Sequence, residues 1–148
     1  MITPELILEE WKKDSVLESD LEKASRNIPR LHSKYLDMLL EVRYQINEKE
    51  TLHKELLFLK KKHYSGKLSQ EELSKLNWSV DPLNGLRVLG KDIYEYVEVD
   101  PLVVQSKKNL EKQRLSRELL DSIIQRVSWR SNEIKNIFEW KRFTSGSF

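Results

Sequence analysis

The run Leu59-Lys60-Lys61-Lys62-His63-Tyr64-Ser65-Gly66-Lys67 holds the side chains best suited to chemistry with a partner. Lys60, Lys61, Lys62 and Lys67 put four like charges within nine residues, which repel one another unless solvent or an anion accepts them. Cations interleaved with the rings of His63 and Tyr64 suit a phosphate backbone whose bases can stack. A solvated helix end, with its lysines at the negative pole of the helix dipole, has the same composition. Both readings stand at this level. The candidate binding residues are Lys60, Lys61, Lys62, His63, Tyr64 and Lys67.

Other chemistries find no support. The 148 residues include no cysteine, so disulfides, iron–sulfur clusters and thiol chemistry are excluded. His32, His53 and His63 are not spaced i, i+4 and no carboxylate motif accompanies them, so no metal site is expected. Gly66-Lys67 lacks the upstream glycine and following hydroxyl of a phosphate-binding P-loop. Acidic pairs occur without an apolar pocket around them, so acid–base catalysis has no basis. The expectation is a protein that is not an enzyme and has no cofactor. With a net charge of only +2, any hold on nucleic acid must come from local patches. A second basic group, Lys107, Lys108, Lys112, Arg114 and Arg117, is diluted by Glu111 and Glu118 and reads as a solvated helix face. Arg126, Arg130, Lys135, Lys141 and Arg142 suit ion pairs in an oligomer as well as phosphate.

The elements that position these residues are helical. Mean hydropathy is −0.62 and 34% of residues are charged, yet 39% are hydrophobic, enough for a helical core. Thr3-Pro4 is a cap followed by proline at the first helical position, predicting a short helix from Leu6 to about Lys13 with Leu8 and Trp11 one turn apart. A linker, Asp14 to Asp20, precedes a long helical pattern from Leu21 to Tyr64, with a kink or break expected at Pro29. Leu31, Tyr35, Leu39, Val42 and Ile46 mark one face, and the stripe resumes at Leu52, Leu56 and Leu59. Ser65-Gly66 ends the helix, and Ser69 with Glu72 forms a capping box for a short helix to about Asn77. Residues 78–99 read as an irregular connector in which Ile93 to Val99 could be a strand or a helical turn. Asp100-Pro101 opens a last helix to about Arg142, whose seam of Leu120, Ile124, Val127, Ser131, Ile134 and Phe138 alternates spacings of four and three.

One helix over residues 29–64 would span about 54 Å, beyond the roughly 40 Å diameter of a compact globule of this length. The expected fold is therefore mainly α: an elongated helical bundle with a long kinked second helix and a long C-terminal oligomerising helix. Its surplus apolar stripe would pack against other copies through Leu120, Ile124, Val127, Ile134, Ile137 and Phe138. The expected divisions are a helical part over 1–77, an irregular connector over 78–99 and the C-terminal helix over 100–148. Met1 to Glu5 lacks a basic leader and no stretch approaches eighteen apolar residues, so a soluble, cytoplasmic, unprocessed protein is expected.

Four segments resemble the UvsY-type recombination mediators of T-even-like phages: Glu9-Glu10-x-Lys12-Lys13-Asp14, Ser33-Lys34-Tyr35-Leu36, Tyr64-Ser65-Gly66, and Ile134-Lys135-x-Ile137 with Arg142-Phe143-x-x-Gly146. They occur in the same order and at similar distances across nearly the whole chain. The resemblance implies a non-enzymatic ring of six or seven subunits in the host-cell cytoplasm. Such a ring binds single-stranded DNA and helps a RecA-like recombinase displace the single-strand-binding protein. It also implies DNA contact six and eight positions before the glycine of Tyr-Ser-Gly; Lys60 fills the first position, but the second is Phe58. Lys61 and Lys62 are extra cations that could compensate. A structural or adaptor coiled-coil oligomer without nucleic-acid binding is the alternative function class.

Overall fold

Local signals set the helix ends. In the computed structural model, which describes residues 1–146, the order is α1 (Pro4–Asp14), α2 (Leu21–Tyr64), α3 (Gln70–Leu76), α4 (Ile93–Glu98), α5 (Pro101–Ser128) and α6 (Arg130–Thr144). The last two positions of the 100–148 segment lie outside the described residues. No strand occurs among the described residues, and Ile93 to Val99, open between strand and helix in the sequence, forms α4. Thr3 caps α1 by accepting the Leu6 N–H, and Ser69 caps α3 by accepting the Glu72 N–H, each at 3.2 Å. At α5, the Asp100 carboxylate accepts the Leu102 N–H at 2.9 Å and Pro101 takes the first helical position.

Helix continuity agrees with the expected single long helix in α2 and departs from expectation near the chain end. α2 runs through Pro29 without a break. A proline there removes one backbone bond and costs about 3 kcal/mol, which packing of the following face offsets. The final helix, expected to be continuous to about Arg142, is interrupted at Trp129. There the Asn132 N–H bonds the Trp129 carbonyl at 3.0 Å, a three-residue step that re-aims α6. The interruption coincides with the burial of Arg130, whose Nη2 donates to the Asp14 carbonyl at 2.8 Å and the Ser15 carbonyl at 3.3 Å. A guanidinium thereby satisfies the orphan carbonyls at the end of α1.

The chain forms two compact units, Met1–Ile46 with Lys112–Phe148 and Asn47–Glu111. In the first, Leu31, Tyr35, Leu39, Val42 and Ile46 are all buried, the face expected from their spacing. Ile7 is buried on α1 while Leu8 is exposed, so the inward register there sits one residue earlier than expected. From α5 the same core takes Gln113, Ser116, Leu120, Ile123 and Val127. The second unit is built on Ile93, Val97 and Val103, with Leu56, Leu57, Tyr64 and Val88 packed against them. Here α2 departs from the predicted stripe. Leu52 is exposed and Leu56 and Leu59 are half-buried, while Lys60 and His63 are buried.

Candidate nucleic-acid interface

The lysine cluster ends α2 in a turn that the sequence dictates. Gly66 adopts φ +69, the left-handed conformation glycine tolerates best. The Lys67 N–H bonds the Lys62 carbonyl at 2.9 Å and the Gly66 N–H bonds the His63 carbonyl at 3.2 Å, a Schellman arrangement. Up to that turn the helix is regular, so residues three and four apart share a face. Lys60, His63 and Tyr64 therefore point one way; Phe58, Lys61 and Lys62 point the other.

The inward face holds a buried polar network. Lys60 Nζ lies 3.1 Å from Asp100 Oδ2, and both side chains are only 6% exposed. The same ammonium sits 3.8 Å from the Trp78 ring centre. The Tyr64 hydroxyl donates to Asp100 Oδ2 at 2.8 Å. His63 Nε2–H donates to the Ser79 carbonyl at 2.6 Å, and its ring packs 5.1 Å from that of Trp78. Burial alone would push the Asp100 carboxyl up, but the Tyr64 hydroxyl, the Lys60 ammonium and the Leu102 N–H together hold it below the usual carboxylate range. Burial and the bond to Asp100 push the Tyr64 phenol up to about 12.

This packing corrects part of the candidate site. Lys60 is buried and its charge is matched inside the chain, so it is not free to meet a phosphate. His63 is buried between Ser79 and Trp78, and Tyr64 is half-buried with its hydroxyl committed to Asp100, so these two rings are less open to a ligand than their place in the cluster suggests, although both line the cleft beside the turn. Sequence reasoning grouped these residues with their neighbours because Asp100 and Trp78, which draw them inward, lie far along the chain.

The outward face keeps Lys61, Lys62 and Lys67. Lys61 and Lys67 are exposed and Lys62 is half-buried. Lys61 Nζ stands 5.0 Å from the Tyr94 ring centre, and Lys62 Nζ 4.8 Å from that of Phe58. Beside the turn opens a cleft of about 560 Å³ lined in part by Gly66, Lys67, Leu86 and Arg87. Arg87, exposed and sharing that cleft with Lys67, was not singled out in the sequence because it is an isolated cation within the irregular connector. No group of three or more His, Asp or Glu side chains could hold a metal among the described residues.

A model of the family described as recombination, repair and ssDNA-binding protein UvsY matches residues 10–147. The chain belongs to the UvsY family. No curated protein matches the chain. Among solved structures, the bacteriophage T4 recombination mediator protein UvsY superposes with a TM-score of 0.80 at 20% identity, covering 98% of this chain and 99% of that one. That likeness establishes the fold.

Three of the four segments that carry the likeness to UvsY-type proteins have structural roles within their own units. Lys34 Nζ bonds Glu10 Oε2 at 2.8 Å and Asp14 Oδ2 at 2.6 Å, and the Tyr35 hydroxyl donates to Asp14 Oδ2 at 2.8 Å. The first two UvsY-like segments are thus interlocked, with Trp11 packed edge-on against Tyr35 at 5.7 Å. Burial raises Asp14's affinity for a proton, but Lys34 and Tyr35 outweigh it and leave the carboxyl below its ordinary range. The Tyr-Ser-Gly segment supplies the Schellman turn and a bond to Asp100.

The candidate oligomerisation residues separate in the same way. Leu120 and Val127 are fully buried within the protomer and have no surface to offer another copy. Ile124, Ile134 and Ile137 are half-buried and Phe138 is exposed. Trp140 and Phe143, also on α6 and exposed, stack at 6.0 Å. Arg126 pairs with Glu133 at 2.9 Å and Lys112 with Glu5 at 3.5 Å, while Arg130 is spent on the end of α1.

Proposed function

We propose that this chain is a single-stranded-DNA-binding recombination mediator that loads a RecA-like recombinase onto DNA coated with single-strand-binding protein. The observation that carries it is the division of the lysine cluster. Lys60 is neutralised inside, so Lys61, Lys62 and Lys67 remain as an outward basic group around a rigid turn, with Arg87 sharing the cleft beside Lys67. Such a group contacts phosphate without reading bases, as a factor acting on any sequence requires.

Each subunit offers few cations, and a ring of six or seven copies would supply the rest by multivalency. Assembly runs through Ile134, Ile137 and Phe138 on α6, with Ile124 at the end of α5. In this division of roles, residues 1–77 bear the helix that ends in the DNA-binding turn, 78–99 form a connector that adds Arg87, and 100–148 assemble the ring. The protein acts in the cytoplasm, and a partner ATPase supplies any energy-consuming step. No helix among the described residues is long and apolar enough to cross a membrane.

The test is fluorescence anisotropy with labelled oligonucleotides over a salt series, run beside light scattering. Lys61→Ala with Lys62→Ala is expected to weaken binding, to flatten the slope of log affinity against log salt by about 1.4 for two lost phosphate contacts, and to leave oligomer mass unchanged. Unaltered affinity at moderate salt would reject the assignment.

A further inference from the structure

Two large aromatic side chains lie on the outward face, each beneath a lysine. Phe58 is 60% exposed with Lys62 Nζ 4.8 Å from its ring centre, and Tyr94 is 57% exposed with Lys61 Nζ 5.0 Å from its own. Both belong to the unit Asn47–Glu111, Phe58 on α2 and Tyr94 on α4. Holding a phenyl ring in water forgoes burial that its size would otherwise make favourable. A lysine over each ring marks where an anionic ligand would meet the aromatic surface.

We infer that Phe58 and Tyr94 are base-stacking platforms, each taking one unpaired nucleobase of a single strand whose phosphates contact Lys62 and Lys61. The inference rests on the proposed DNA-binding reading and adds to it the residues that hold bases rather than phosphates. Phe58 lies one helical turn before Lys62 on the outward face of α2. At that position a ring pairs a stacking surface with a charge. This arrangement also places stacking on rings more exposed than those of Tyr64, which is half-buried, and His63, which is buried. The occupant follows from charge complementarity: a single strand presents π faces and phosphates at alternating positions, and every base has a face, so no sequence preference results.

The test uses the full chain, with anisotropy on a labelled mixed-sequence oligonucleotide and on an abasic deoxyribose-phosphate strand of the same length, each over a salt series. Phe58→Ala with Tyr94→Ala is expected to lower affinity for the oligonucleotide about tenfold or more. Its salt slope should match wild type, because stacking releases no counterions. On the abasic strand, variant and wild type should bind alike. Phe58→Trp should keep wild-type affinity, which separates lost stacking from damaged folding. Equal affinity of the double alanine variant for the oligonucleotide overturns the inference, as does an equal loss on the abasic strand. A lighter particle by light scattering also overturns it, because the rings would then serve contacts between copies. Failure of the lysine variants instead overturns the DNA-binding reading itself.

Discussion

Both units contain an aspartate whose Oδ2 accepts a lysine ammonium and a tyrosine hydroxyl together. In one, Asp14 takes Lys34 and Tyr35; in the other, Asp100 takes Lys60 and Tyr64. The donor sets match and their surroundings differ. Lys34 is 35% exposed and Asp14 21%, with Glu10 as a second carboxylate for the same ammonium. Lys60 and Asp100 are 6% exposed, and the Lys60 ammonium faces Trp78. In the first cluster Glu10 would still hold Lys34 if Asp14 were lost, and water reaches either carboxylate if Lys34 is lost; in the second the charge left over would be nearly out of reach of water. The comparison teaches that a lysine in a basic cluster can be a structural cation, and that burial decides how much depends on it.

The strongest way to break this comparison is to remove each lysine. Lys60→Ala leaves Asp100 buried without its countercharge and is expected to destabilise the fold by about 3–5 kcal/mol. Lys34→Ala should cost only about 1 kcal/mol, because water reaches that cluster. Chemical denaturation of the two variants reads the difference, and equal losses would show that burial does not separate the clusters. A DNA-binding defect in Lys60→Ala should accordingly track lost folding.

Acid sharpens the same point. The folded Asp100 carboxyl lies below its ordinary value, so its stabilising contribution is complete above the unfolded pKa of about 3.9 and is lost as pH falls through the lower folded value. Asp14 follows the same direction. Thermal melts between about pH 6 and pH 2 should show wild type losing stability more steeply than Asp100→Asn, and parallel curves would contradict the assignment.

The smallest effect concerns the phenols. Tyr64, raised to about 12, contributes stability that is present below the unfolded value of about 10 and lost as pH rises through the folded one. Tyr35 is raised further still, with burial first and the Asp14 bond second among the causes. Ultraviolet titration of phenolate absorbance should place Tyr64 ahead of Tyr35. Tyr64→Phe, which leaves Lys60 paired, should cost about 1 kcal/mol. A Tyr64 phenol titrating near 10 would mean that its bond to Asp100 is not held in solution.

The UvsY-like motifs show what kind of information a sequence carries. Glu10, Asp14, Lys34 and Tyr35 were legible as shared segments, yet nothing local indicated that they bond one another across α1 and α2. The stripe from Leu31 to Ile46 was legible because its buried residues are apolar at helical spacing. Beyond Ile46 the inward positions become mixed: Leu56 and Leu57 pack on the core, but inward too are His53, bonded to Ser106 at 2.8 Å, and the buried Lys60 and His63. A reading based on hydrophobicity therefore keeps Leu56, adds the exposed Leu52 and misses the buried Lys60 and His63. The seam on α5 was recognised by its spacing, but spacing alone does not say whether Leu120 and Val127 pack within one chain or between chains, and here they pack within.

Sequence alone determined the mainly helical class, the caps at Thr3, Ser69 and Asp100 and the stop at Gly66, because each depends on neighbours within a turn of helix. Tertiary structure decided which lysines face inward, which rings remain in water and where α5 gives way to α6. Those outcomes depend on burial and on partners such as Asp100 for Lys60 and Asp14 for Arg130, separated by forty or more residues, and only the folded chain brings them within bonding distance.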